Sequence, residues 1–142
     1  MTAAQKRPRK RVTVPGLTEA QLQRSVADQF KELLEPPVLW NAIQPEGRGP
    51  IEGARMKKRG VQAGWPDFLI LAPGPRVVGI ELKVGRNKQS AEQLAFAGWF
   101  PQCHGQYFIC RSTDDVIEAL DRARIPHRMV HIVGGNWGRR GL

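Results

Sequence analysis

The sequence predicts an α/β fold in which a mixed central β-sheet is flanked by helices. Segments of helical period alternate with short β-branched runs in the order helix, strands, helix, strand, helix, and no internal repeat is present. Between residues 67 and 84 two aliphatic runs flank a Pro-Gly-Pro turn, so the central strands should include an antiparallel pair.

Taken in chain order, residues 1–16 read as a disordered basic arm. Lys6, Arg7, Arg9, Lys10 and Arg11 repel one another and few apolar residues stand near them. One folded domain is expected over 17–133, followed by a flexible tail at 134–142. The first helix opens on a capping box, Thr18-x-x-Gln21, and is stopped by Pro36 and Pro37. Its apolar residues Leu22, Val26, Phe30, Leu33 and Leu34 all fall within about 60° of Glu19 on the helical wheel. An acid therefore sits in the middle of the apolar stripe. Its place in the first turn, where a carboxylate favours the helix dipole and still reaches water, is one sufficient explanation.

"VLWNAIQ" can form a short strand. The following stretch to Gly64 has neither period and reads as a loop, or a loop with one helical turn. It carries Arg48, Arg55, Lys57, Lys58 and Arg59, and it leads directly into Gly64-Trp65-Pro66-Asp67, which makes these cations candidate phosphate contacts. "DFLILA" and "RVVGIELKV" are strands. A second capping box, Ser90-x-x-Gln93, starts a helix that Pro101 closes; "GQYFICR" is a strand and "STDDVIEALDRAR" a third helix with Val116, Ile117 and Leu120 at core spacing. "RMVHIV" can add a last strand.

Composition narrows the partner. Lys and Arg number 22 against 13 Asp and Glu, a net charge of +9, with a pI near 10.4. A polyanion is implied. Nucleic acid is favoured over a membrane, since no apolar run approaches the roughly 18 residues of a spanning helix and no basic helix has a broad apolar face. The basic N-terminus lacks the apolar segment of a secretory signal, and the two cysteines, Cys103 and Cys110, are too few for a disulfide framework. Both features point to the cytoplasm, with two buried free thiols.

The chemistry concentrates in "GWPDFLILAPGPRVVGIELKVG", residues 64–85. Side chains alternate along a strand, so Glu81 and Lys83 share one face while Ile80 and Leu82 share the other. If Pro-Gly-Pro closes a hairpin, Asp67 lies near Glu81 and the two carboxylates need a compensating cation. Lys83 supplies one charge, and a surface ion pair would explain it alone. It would not explain Asp67, Glu81 and Glu19 together beside a basic flank. Hard oxygen ligands in such a cluster suit Mg²⁺ or Mn²⁺.

Pro66-Asp67 followed by Glu81-Leu82-Lys83 resembles the PD-(D/E)XK nuclease signature. Gly64-x-Pro66-Asp67, with Gln93 downstream in "QSAEQ", is similar to the VRR-NUC branch in particular, from about Glu19 to the third helix. The resemblance implies a restriction-endonuclease-like core and a metal-dependent DNA endonuclease. Asp67 and Glu81 would then bind the metal with the backbone carbonyl of Leu82. Glu19 would bind or orient it, and Lys83 would position water and stabilise phosphate charge. Gln93 would stand near the site, although a capping role alone also accounts for it.

Trp65, in the glycine-rich approach to Asp67, is a candidate for stacking on an unpaired base, while Trp99 near a helix end reads as core. Arg86 and Lys88, after the Glu-x-Lys, are further candidate phosphate contacts. Cys103, His104, Cys110, His127 and His131 lack the close-spaced pairs of a zinc site. The resemblance extends to branched or single-strand-containing DNA as substrate, such as flaps or Holliday junctions, in replication and repair in phage or bacteria. Symmetric resolution of a junction would require a homodimer. Two rivals remain from the residues alone: a non-catalytic basic DNA-binding protein on the same fold, and a nuclease acting on RNA.

Overall fold

The structure is a computed structural model that describes residues 16–43 and 49–128. The basic arm, Arg48, all but Arg128 of the strand expected at 128–133, and the tail at 134–142 lie outside the described residues. A helix, α1 (Glu19–Leu33), starts at the predicted cap. The Thr18 hydroxyl accepts from the Gln21 N–H at 3.2 Å while the Gln21 side chain accepts from the Thr18 N–H at 2.8 Å. Strand β1 (Leu39–Ala42), helix α2 (Pro50–Lys58), strands β2 (Phe68–Ala72) and β3 (Arg76–Leu82), helix α3 (Ala91–Trp99), a 3₁₀ turn (Phe100–Cys103), strand β4 (Gly105–Cys110) and helix α4 (Thr113–Arg122) follow.

The four strands lie in chain order in one sheet. β1 with β2 and β2 with β3 are antiparallel, and β3 with β4 is parallel. The predicted hairpin is present, with Phe68 opposite Ile80 and Ala72 opposite Arg76. The parallel step follows from the route between β3 and β4, because a crossover through a helix brings the chain back in the same direction.

One face of the sheet forms the core against α1 and α4. Leu22, Val26, Phe30 and Leu33 of α1 and Val116, Ala119 and Leu120 of α4 pack on Phe68, Ile70, Val78, Ile80 and Leu82. Phe30 stands edge-on to both Trp40 and Phe68, with centroids 5.4 and 5.2 Å away. The other face carries the 3₁₀ turn, and Phe100 presses so closely that a Cβ on Gly105 would lie 2.6 Å from its ring. Only glycine fits there.

Three expectations are corrected. The stretch before Gly64 holds a nine-residue helix, α2, rather than a single turn. Pro50 occupies a first-turn position, Glu52 lies in the first turn, and Arg55, Lys57 and Lys58 complement the dipole in the last, so local charge order supports the helix although none of its residues is buried. Trp99 is not core: it is 68% exposed, and the neighbouring Phe100 is buried in its stead. Cys110 is buried as expected, whereas Cys103 is exposed in the 3₁₀ turn. No helix among the described residues is long and apolar enough to cross a membrane.

Candidate metal centre

Three elements converge at one end of the sheet. The antiparallel register that pairs Phe68 with Ile80 sets Asp67 beside Glu81, and the first turn of α1 brings Glu19 to them. One carboxylate oxygen from each of Glu19, Asp67 and Glu81 lies within 4.8 Å of the others. Among the described residues this is the one group of three His, Cys, Asp or Glu side chains placed to hold a metal ion. Glu19 and Asp67 are half-buried and Glu81 is buried. The apolar stripe around Glu19 is thus the cause of its position: packing Leu22, Val26 and Phe30 on the sheet leaves the first-turn acid facing the strand ends.

Asp67 and Glu81 are held differently. An Asp67 oxygen, Oδ2, accepts from the backbone N–H of Leu82 at 2.7 Å, at a point where the β2–β3 ladder has ended. Glu81 Oε1 accepts from the Gln93 side-chain amide at 2.6 Å and lies 3.3 Å from the Lys83 ammonium. Among the described residues Glu81 Oε2 has no hydrogen-bond partner, although it is buried. A buried carboxylate oxygen left in that state costs about 1–3 kcal/mol or more. Two anionic neighbours and one open oxygen describe a site built for a cation, and an all-oxygen donor set matches a hard divalent ion such as Mg²⁺ or Mn²⁺.

The electrostatics record the same crowding. Burial, and then the charge of Asp67, push the Glu81 carboxyl up to about 7, against the opposing pull of Lys83. Burial likewise raises Asp67, assisted by Glu19 and opposed by the Leu82 N–H and by Lys83. Tyr107, which the residue pattern did not single out, belongs to this neighbourhood. Its hydroxyl accepts from the Gln89 amide at 3.0 Å, and burial followed by the charge of Glu81 pushes it up to about 12. Only the β3–β4 pairing, which sets Tyr107 opposite Gly79, reveals it.

Gln93 carries two contacts at once. Its Oε1 accepts from the Ser90 N–H at 2.9 Å, closing the capping box, while its Nε2 donates to Glu81. The two readings of this residue are therefore compatible.

The predicted basic residues that the structure describes are exposed on α2 and on the loop after β3. Arg55, Lys57 and Lys58 are exposed on the last turn of α2, and Arg59 caps it. Arg86 and Lys88 are exposed on the loop after β3. The Arg111 guanidinium fixes that loop by donating to the carbonyls of Gly85 and Asn87 at 3.0 and 3.1 Å. Trp65 leans on Phe96 of α3 with a 5.0 Å centroid separation. Gly64 permits this approach: its φ is +90°, and a Cβ there would lie 2.4 Å from the Glu92 carbonyl oxygen. His127 stands apart, with its Nε2 2.8 Å from Asp121. Arg7, Arg9, Arg11, Lys6, Lys10 and Arg48 lie outside the described residues.

No family model matches the chain, and no curated protein matches it in sequence. A solved structure described as a "VRR_NUC domain protein" superposes with a TM-score of 0.58 and 23% identity, covering 76% of this chain and 88% of that one. Another, described as a "VRR_NUC domain", superposes with a TM-score of 0.49 and 21% identity, covering 72% of this chain and 94% of that one. The chain has the fold of the VRR_NUC domain protein, a mixed sheet flanked by helices, in agreement with the architecture implied by Pro66-Asp67 and Glu81-x-Lys83.

Proposed function

We propose that this protein is a divalent-metal-dependent nuclease that hydrolyses phosphodiester bonds in DNA. The observation that carries the reading is Glu81 Oε2, a buried oxygen without a hydrogen-bond partner among the described residues, inside a cluster of three carboxylates. A non-catalytic DNA-binding protein gains nothing from that arrangement, since acids at a phosphate-binding face repel the ligand. The VRR_NUC fold supports the same reading.

Glu19, Asp67 and Glu81 would hold Mg²⁺ or Mn²⁺, with the Leu82 carbonyl as a further ligand. A bound divalent ion supplies a lowered water pKa and Lewis-acid stabilisation of charge on phosphate. The protein's own groups do the rest. The Leu82 N–H holds Asp67 in one orientation, and Gln93 does the same for Glu81. Lys83 is buried, with its side-chain nitrogen 3.3 Å from Glu81 Oε1. As a compact point charge it would position water and neutralise charge growing on the phosphoryl oxygens. The cations of α2, of the loop at 86–88 and of the N-terminal arm would follow the DNA backbone, which favours recognition by shape over base sequence. Branched DNA, a flap or a four-way junction, is the proposed substrate, and symmetric cutting of a junction would need two copies of the chain.

The test is cleavage of labelled duplex, single strand, flap and four-way junction DNA, with matched RNA, by wild type and Lys83→Ala in Mg²⁺, Mn²⁺ or EDTA. Metal-dependent cutting of DNA that Lys83→Ala loses is the expected result, and the preferred substrate reports the shape. DNA binding without cutting in every metal would leave a binding protein on a nuclease fold, and preferential cutting of RNA would replace the substrate.

A further inference from the structure

Two residues before Asp67 the chain lines a pocket of about 320 Å³, walled by residues 41–43 at the end of β1, residues 60–62 after α2, and Trp65. We propose that it receives an unpaired nucleobase of the strand being cut, so that the substrate must carry at least one unpaired base next to the cleaved phosphate. This rests on the nuclease reading above and narrows its substrate.

The pocket is tied to the site through the backbone. The Ile43 N–H donates to the Asp67 carbonyl at 2.9 Å, and Trp65 precedes Asp67 by two residues. A base seated there belongs to a nucleotide whose phosphates are close to the carboxylates.

Its chemistry fits a base on three counts. Trp65 is 42% exposed yet anchored: it packs on Phe96, which packs in turn on Phe100 at 4.9 Å and on Tyr107 at 6.1 Å. An indole already ordered by the fold loses little freedom when a base stacks on it. Ala42, Ile43 and Val61 make the wall apolar, while Asn41 and Gln62 contribute amides, each both donor and acceptor, that can meet a base edge. The cations Arg55, Lys57, Lys58 and Arg59 stand immediately before residue 60, all of them exposed. An apolar peptide would match the walls but not these four charges; a nucleotide matches both.

A paired base cannot use the pocket, because its faces are covered by its neighbours in the stack. The requirement therefore selects flaps, forks and bulges over continuous duplex. It also assigns Trp65 a task distinct from the charge-based contacts, which do not discriminate between paired and unpaired regions.

The experiment is fluorescence anisotropy in EDTA with a forked DNA, compared with the same fork carrying abasic residues in its single-stranded arm beside the branch. Wild type should bind the abasic fork about 5- to 150-fold more weakly, the range for losing one base–aromatic stack. Trp65→Ala should bind both forks equally, and Trp65→Phe, which keeps a ring and the packing on Phe96, should retain most of the preference. Equal binding of both forks by wild type, or an undiminished preference in Trp65→Ala, overturns the proposal. Cleavage of the same forks in Mg²⁺ separates this from the nuclease reading. Equal cutting of both forks with equal binding removes the pocket and keeps the nuclease, whereas a base preference without cutting keeps the pocket and removes the nuclease.

Discussion

The two sides of β3 are almost equally dry and chemically opposite. Ile80 and Leu82 are 0% exposed on the side facing α1 and α4, while Glu81 is 1% exposed and Lys83, directly after the strand, is 7% exposed on the alternate positions. On the first side every group gains by leaving water, at about 1.5–3 kcal/mol for a fully buried aliphatic side chain. On the second, burial costs free energy that Lys83 and Gln93 offset only in part, because Oε2 of Glu81 finds no partner among the described residues. The apolar side thus holds the fold together and the charged side is carried by it. A site strained in this way persists when its surroundings are stable enough to hold it, and its cost is a sign of use.

Breaking the two sides separately should give mirror-image results, and this is the largest effect expected. Leu120→Ala removes a fully buried side chain from α4 and should cost about 2–5 kcal/mol in denaturant unfolding, with metal-dependent cutting retained while the protein is folded. Glu81→Gln keeps the shape and removes the charge. It should abolish cutting, yet leave the protein in EDTA as stable as wild type, or more so. A Glu81→Gln variant as unstable as Leu120→Ala would make Glu81 a structural residue and dissolve the contrast.

A smaller effect sharpens the comparison through pH. Glu81 titrates at about 7 in the folded protein against 4.5 for an ordinary glutamate, and Asp67 is raised in the same direction. Between those two pH values the folded state binds more protons than the unfolded state, so stability in EDTA falls as pH rises from about 4.5 through 7. The contribution is fully present below that window and lost above it. Saturating Mg²⁺ should oppose the trend, because an ion that binds ionised carboxylates stabilises more as the protons leave. The difference between wild type and Glu81→Gln across pH 5–8, by chemical unfolding, isolates the buried acid. Parallel curves for the two proteins would rule out a raised Glu81.

How far each side could be read beforehand follows from the same contrast. The apolar side was legible because its signals are local: the period of Leu22, Val26 and Phe30, the caps at Thr18 and Ser90, and the turn at Pro73 to Pro75. Asp67, Glu81 and Glu19 were legible as a group because charges at buried positions stand out against those periods. Less was visible where position depends on non-local pairing. Tyr107 reaches the site only through the parallel β3–β4 register, and the pocket wall at residues 41–43 only through the β1–β2 pairing. The helical state of α2 was obscured because it has no apolar stripe; charge placement along its dipole was the available signal. Trp99 was misread because bulk favours burial on average, whereas here the chain turns at Pro101 and sends Phe100 inward.

The smallest effect concerns Gln93, where the two sides meet in one residue. Its oxygen closes the cap of α3 and its nitrogen steadies Glu81, so a single alanine mutation would confound a structural loss with a functional one. Ser90→Ala provides the control. It removes the hydroxyl that accepts from the Gln93 N–H and should cost about 0.5–2 kcal/mol, while the amide can still reach Glu81. Gln93→Ala should lower stability by a similar amount and, in addition, weaken metal affinity or activity by about 10- to 100-fold, the range for residues that orient a metal ligand. Calorimetric titration of Mg²⁺ into both variants, beside their unfolding curves, reads the two losses independently. If the variants bind metal equally well, the contact between Gln93 and Glu81 does not orient the ligand, and Gln93 belongs entirely to the cap.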